Sequence, residues 1–106
     1  TFDSYPVSKF HSLVIPKRHV KDYFDLTNDE LACCHDLLSK LKNKINFEDN
    51  LVKGFNIGSN SGKSAGQSIL HCHIHLIPRR EGDVDNPQGG VRSVIPSKQH
   101  YVRKSK

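Results

Sequence analysis

Three histidines at alternate positions, His71, His73 and His75, are the residues best equipped for chemistry in this 106-residue chain. They sit in the segment Ser68-Ile-Leu-His-Cys-His-Ile-His-Leu-Ile77. A strand sends successive side chains to opposite faces, so the three imidazoles are expected together, over roughly 13 Å of one face. Cys72, Ile74 and Leu76 then cover the other face and can close a core. Packing alone does not call for three imidazoles opposite an unbroken apolar face.

Two chemistries fit such a cluster. Imidazole is a common zinc ligand, and His-x-His on a strand can hold one metal ion with both rings. No acidic residue or cysteine shares the face, which leaves His11 or His19 to complete a metal site. The alternative is phosphate chemistry. A neutral histidine is a competent nucleophile at phosphorus, and flanking imidazoles, ionised near neutral pH, would offset charge on the oxygens. The preceding loop, Gly62-Lys-Ser-Ala-Gly66, has the glycines that let backbone N–H groups converge on an anion. Its order of residues is not that of a Walker A loop.

The elements that must position these residues are legible as local patterns. Phe10 to Ile15 is rich in strand formers and stops at Pro16. Thr27 followed by Glu30 is a capping box, with Leu26 and Leu31 at the staple positions. Leu31, Cys34, Leu38, Leu41 and Ile45 then recur at three- and four-residue spacing, which predicts an amphipathic helix from about 28 to 44. Leu51 to Ile57 and Ser68 to Ile77 read as strands whose short connection requires antiparallel pairing. Val91 to Ile95 reads as a further short strand or an extended arm. This order predicts an α+β domain.

Bulk properties bound the rest. The length suits a single domain, 1–106, with a C-terminal arm from about 81. A net charge of +5 suits an anionic substrate, but acidic and basic residues are interleaved, and no nucleic-acid partner is expected. The basic tail Arg103 to Lys106 reads as a solvated terminus. Cys33 and Cys34 are adjacent and Cys72 is the odd third, so a reducing, cytoplasmic setting is expected. No apolar run approaches a membrane span. Because the first residue is Thr1 and strand-like text follows at once, the segment is expected to begin inside a longer chain or to lack a disordered start.

The run Asn56-Ile-Gly58, Ser64-Ala-Gly66-Gln67-Ser68 and His71-Cys-His73-Ile-His75-Leu-Ile-Pro78-Arg79 resembles the histidine triad (HIT) family of nucleotide hydrolases and transferases. Asp3-Ser-Tyr-Pro-Val-Ser, His11-Ser-Leu-Val-Ile-Pro16-Lys-Arg-His19 and the later Asp85-Asn-Pro-Gln-Gly-Gly-Val-Arg92 extend the resemblance over nearly the whole chain. It implies a half-barrel of about five antiparallel strands with one long helix, commonly paired into a homodimer. It also implies hydrolysis at the α-phosphate of a purine nucleoside phosphoramidate or dinucleoside polyphosphate through a nucleotidyl-histidine, without a cofactor.

By the same resemblance His73 is the nucleophile, His71 orients it, His75 contacts phosphate oxygens and Ser68 donates to the leaving group. Gln67 and Asn60 fall near the phosphates, Asp3 at the ribose, His11 among the substrate-binding residues of the nucleoside end, and Leu13 and Phe2 in the adenine slot. Where the family has glycine before His11, this chain has Phe10. Members with an upstream Cys-x-x-Cys carry structural zinc, and no such pair occurs in this segment. Two readings from other classes stay open: a nucleotide-binding regulator with incidental turnover, and a metal-binding histidine cluster. Asn56 reads equally as a ligand or a strand-end residue, Arg79 and Arg80 as anion-steering or solvated, and Cys72 as a small buried residue. Arg92 lies on an arm that could reach the site.

Overall fold

The computed structural model describes residues 1–103, so most of the basic tail lies outside the described residues. Strand β1 is Ser12–Val14, helix α1 is Asn28–Glu48, β2 is Val52–Gly58 and β3 is Ile74–Arg80. Short 3-10 turns fill the connections at Tyr23–Asp25 and Lys63–Ala65 and the arm at Gly90–Val94 and Pro96–Lys98. The sheet has three strands in the order β1-β3-β2, and β3 pairs antiparallel with both neighbours.

This corrects the expected half-barrel of about five strands: the sheet is open and three-stranded, with the one long helix retained. The physical reasons lie at both ends of the chain. Near the N-terminus, Phe2 makes only an isolated bridge to Ser12. The chain then turns away at once, because the Asp3 carboxylate accepts the Tyr5 N–H at 2.8 Å and Pro6 follows. At the other end, Val91 to Ile95 has strand-forming composition but follows Gly89 and Gly90, both at positive φ, and precedes Pro96. Those flanks wind it into a 3-10 turn.

Helix α1 begins where the capping box predicts. The Thr27 side chain accepts from the Glu30 N–H, and the Glu30 carboxylate accepts from the Thr27 N–H. It runs about one turn beyond the expected end, to Glu48. Its apolar ridge packs against the sheet. Cys34 and Leu31 join Val14, Val20, Leu26, Cys72 and Ile74, while Ile45 joins Val52 and Leu76, and Leu38 and Leu41 touch both groups. Burying an aliphatic side chain of this size stabilises by about 1.5–3 kcal/mol.

β3 starts later and ends later than its pattern suggests, so His71 and His73 precede the hydrogen-bonded strand and Pro78 lies within it. Beyond Leu76, β1 no longer accompanies β3, which makes that side an edge where proline is tolerated. Alternation is nevertheless continuous: Cys72, Ile74, Leu76 and Pro78 are buried, and His71, His73 and His75 are half-buried on the opposite face. The unpaired side of β2 forms the other sheet edge.

Candidate active site

Histidine rings cluster on the outer face of β3. His73 and His75 meet edge to face with centroids 5.2 Å apart, His11 lies 5.1 Å from His75, and His19 lies edge to face 5.1 Å from His71. Leu13 is directly opposite His75 in the β1–β3 ladder, and Gly58 is opposite it on the β2 side. Paired residues share a face, so His75 has a half-buried leucine on one flank and a residue without a side chain on the other.

The hydrogen bonds fix where the protons are. A carbonyl only accepts, so the 2.9 Å contact between His73 Nδ1 and the His71 carbonyl requires the proton on Nδ1. The Nε2 lone pair of His73 is thereby exposed for attack. The His73 carbonyl in turn accepts from the Ser59 hydroxyl at 2.7 Å, which anchors the loop after β2 against the histidine run. His71 is held by a 3.1 Å bond from its Nε2–H to the Pro16 carbonyl.

A second chain of protons runs through His11, which is buried (3 % exposed). Its Nδ1 accepts the Val7 N–H at 3.1 Å, so its proton sits on Nε2 and is donated to His75 Nδ1 at 2.9 Å. His75 must then carry its own proton on Nε2. Burial, and next the fields of His73 and His11, push the His75 imidazole below its ordinary range, with Asp3 opposing. The expectation of an ionised flanking imidazole is therefore corrected for His75: it offers a neutral N–H donor at pH 7.

Asp3 completes this corner. Its backbone N–H donates to the His11 carbonyl at 2.9 Å, and its Oδ2 lies 3.4 Å from His11 Nε2 and 3.8 Å from His75 Nδ1. Among the described residues, Asp3, His11 and His75 are the one convergent group of three metal-capable side chains, with ligand atoms within 4.8 Å of one another. The group does not include His71 or His73. The Val7 bond keeps a proton on His11 Nε2, which leaves no lone pair there for a cation, so the donor set does not fit a metal ion.

The other expected residues are distributed unevenly. Ser68 and Asn60 are exposed, and among the described residues neither side chain makes a hydrogen bond. Gln67 is buried and fully occupied: Oε1 accepts from the Gly62 N–H, and Nε2 donates to the carbonyls of Lys21 and Ile69. It stitches two loops together and has no free donor for a phosphate. The N–H groups of Ala65, Gly66 and Gln67 also bond within the loop.

The arginines are engaged too. Arg79 pairs with Asp83 and donates to Asn56, and Arg80 pairs with Asp49. Arg92 donates to the carbonyls of Lys98 and Gln99 and covers the Tyr101 ring, so it clasps its own arm. Two contributors were not singled out from sequence: the Ser59 hydroxyl and the Val7 N–H. Both act through partners distant in the chain or through backbone, and neither carries a type or spacing signal. His11 was assigned to substrate binding at the nucleoside end, and its bond to His75 emerges only once β1 and β3 pair.

A family model described as the HIT domain matches residues 1–82. An uncharacterised HIT-like protein of Methanocaldococcus jannaschii is 38% identical over 82 residues, which is 76% of this chain and 61% of the relative. An AP-4-A phosphorylase of Mycobacterium tuberculosis is 38% identical over 84 residues, 76% of this chain and 42% of the relative. The crystal structure of a hypothetical histidine triad nucleotide-binding protein from Sulfolobus tokodaii superposes with a TM-score of 0.71 at 40% identity, covering 76% of this chain and 54% of that one. The chain thus spans less than two thirds of the length of these relatives.

Proposed function

The chain belongs to the HIT family, and from that premise we propose that it is a hydrolase that cleaves a purine nucleotide at its α-phosphate through a nucleotidyl-His73 intermediate. The observation that carries this reading is the Nδ1 bond of His73 to the His71 carbonyl, which leaves Nε2 unprotonated and free to attack.

In the first step Nε2 forms a bond to the α-phosphorus while the bond to the leaving group breaks, and the leaving group takes the electron pair. Water then attacks the phosphorus, the N–P bond breaks, and His73 is restored as a nucleoside monophosphate departs. His75 Nε2–H donates to a phosphate oxygen, held in that tautomer by His11. His71 supports His73 through its carbonyl. Ser68 donates to the leaving group and Asn60 approaches the phosphates. Asp3 accepts from ribose hydroxyls, since each carboxylate oxygen has two acceptor sites and one Oδ1 bond is already made to Tyr5. Leu13 walls the base side, and Gln67 holds the loop.

The three cysteines are free thiols, which supports a cytoplasmic setting. A homodimer is supported by the unpaired edge of β2 and by exposed apolar residues along it and on α1: Leu51, Ile57, Leu37 and Phe47. No helix of the described residues is long and apolar enough to cross a membrane. Intact-protein mass after brief mixing with adenosine 5′-phosphoramidate tests the activity: an AMP adduct on the parent, lost in His73→Ala, is expected. Bound nucleotide with neither adduct nor product would favour the regulatory reading instead.

A further inference from the structure

His75, Ile77 and Arg79 lie along one face of β3, and in the β2 ladder they stand opposite Gly58, Asn56 and Gly54. Paired residues share a face, so Asn56 belongs to the face that carries the histidines. A Cβ added at Gly58 would meet nothing within 4 Å, so the way from Asn56 to His75 is open. The half-buried Asn56 amide is gripped at its oxygen, to which Arg79 Nη1–H donates at 2.7 Å. A guanidinium has donors and no acceptor, so the atom that meets it must be Oδ1. The Nδ2 donors therefore point the other way, and among the described residues no acceptor takes them. Gly90 of the arm stands beside them: a Cβ there would lie 3.4 Å from Nδ2.

Arg79 is itself fixed. Its Nε–H and Nη2–H form a fork on the Asp83 carboxylate, at 2.8 and 2.9 Å, and the Arg80 N–H donates to the same carboxylate at 3.1 Å. The hydrogen bonds between the pair raise Arg79 and hold Asp83 well below the usual carboxylate range, so both stay ionised. A planar fork can grip a carboxylate and still aim a third N–H at the amide. The ammonium of lysine, a compact point charge on a flexible stem, does not fix both. We infer that Arg79 and Asp83 are positioning residues for the proposed attack by His73: they turn the Asn56 amide so that Nδ2 donates to an oxygen of the bound phosphoryl group. The inference rests on that proposed attack. It gives the phosphoryl group a second neutral donor beside the Nε2–H of His75. Because Asp83 neutralises Arg79, the arginine acts by orientation rather than by net charge.

The test follows kcat, KM and adduct formation on His73 in the full chain with adenosine 5′-phosphoramidate. Arg79→Lys keeps the charge and removes the fork. It should lower kcat about three- to tenfold, the worth of one hydrogen bond, with a smaller change in KM. Asp83→Asn, which loosens the fork, should show the same loss in part, and Asn56→Ala should lose at least as much as Arg79→Lys. Adding Arg79→Lys to Asn56→Ala should then lower kcat no further, because the arginine acts through the amide. Nuclear Overhauser contacts between the Asn56 side-chain amide protons and the Gly90 α protons report the orientation without any turnover. They should be present in the parent and weaken in Arg79→Lys. Losses that multiply in the double variant, or an amide contact unmoved by Arg79→Lys, overturn the inference while leaving adduct formation on His73 intact. If the parent forms no adduct, the nucleotidyl-transfer reading fails, and the role given to Asn56 fails with it.

Discussion

One proton lies between His11 and His75, on the His11 Nε2 that stands 2.9 Å from His75 Nδ1. The Val7 N–H on the far side of the His11 ring dictates that position. His11 is therefore a positioning residue for the tautomer of His75. His11→Ala should lower kcat about tenfold or more with a smaller effect on KM, as other losses of tautomer control do. Nitrogen-15 spectra should show His75 shifting from a fixed Nε2–H form to a mixture. An unchanged His75 spectrum would sink the assignment.

His75 also couples the site to pH. Its folded pKa is depressed, so the unfolded chain takes up this proton more readily as pH falls through the ordinary imidazole range near 6.5. The His75 contribution to stability is thus intact above that range and declines below it. Urea midpoints should drop between about pH 7.5 and 5.5, and His75→Asn should show a smaller drop over the same interval.

A second pH dependence belongs to the start of α1. Arg18 donates to both carboxylate oxygens of Glu30, at 3.1 and 2.8 Å, and with the Thr27 N–H it lowers Glu30 from 4.5 to about 2. The contribution is present above the ordinary carboxyl value and is lost as pH falls towards about 2. Arg18→Gln should move the Glu30 titration upward when followed by carboxyl NMR. No upward movement would mean that the capping box alone sets it.

Phe10 occupies a left-handed backbone conformation, φ 71°, where its position before His11 is otherwise suited to glycine. The Ser12 hydroxyl accommodates this turn by donating to the Phe10 carbonyl at 2.8 Å. The ring is retained because it packs against the Ile45–Val52–Leu76 group and Phe2. Both Phe10→Ala and Phe10→Gly lose that packing, yet the glycine variant should be the more stable of the two by about 1 kcal/mol. Denaturant titration of the pair measures this, and the reverse order would contradict it.

The C-terminal arm should unlatch locally. A Cβ at Gly89 would overlap the Gln99 carbonyl, and Gly89 lies at φ 90°. Gly89→Ala should raise amide exchange across 86–101 while the protection of α1 and β3 is unchanged. Uniform loss of protection throughout the chain would show instead that the arm is integral to the core.

What could be read from the sequence was local. Thr27 and Glu30 announce the helix start because a capping box spans four residues, and the alternation from Cys72 to Pro78 survives although hydrogen-bonded strand begins only at Ile74. What failed depended on distant partners. The five-strand count came from resemblance and was undone at Phe2 and at Val91–Ile95, where turn residues outweigh strand propensity. Gln67 and Arg92 were read as residues that meet a ligand or reach the site, yet their groups are occupied by carbonyls at Lys21, Lys98 and Gln99. Polar residue type does not reveal which carbonyl will take the proton.

Gln67 has a consequence for how this chain can vary. Because one side chain rivets the backbone at Gly62, Lys21 and Ile69, the frame of the site does not depend on the identities of the exposed residues Lys63, Ser64 and Ala65 between its anchor points. That stretch behaves as an interchangeable cassette: its surface chemistry can be rewritten while the platform beneath the histidines keeps its shape.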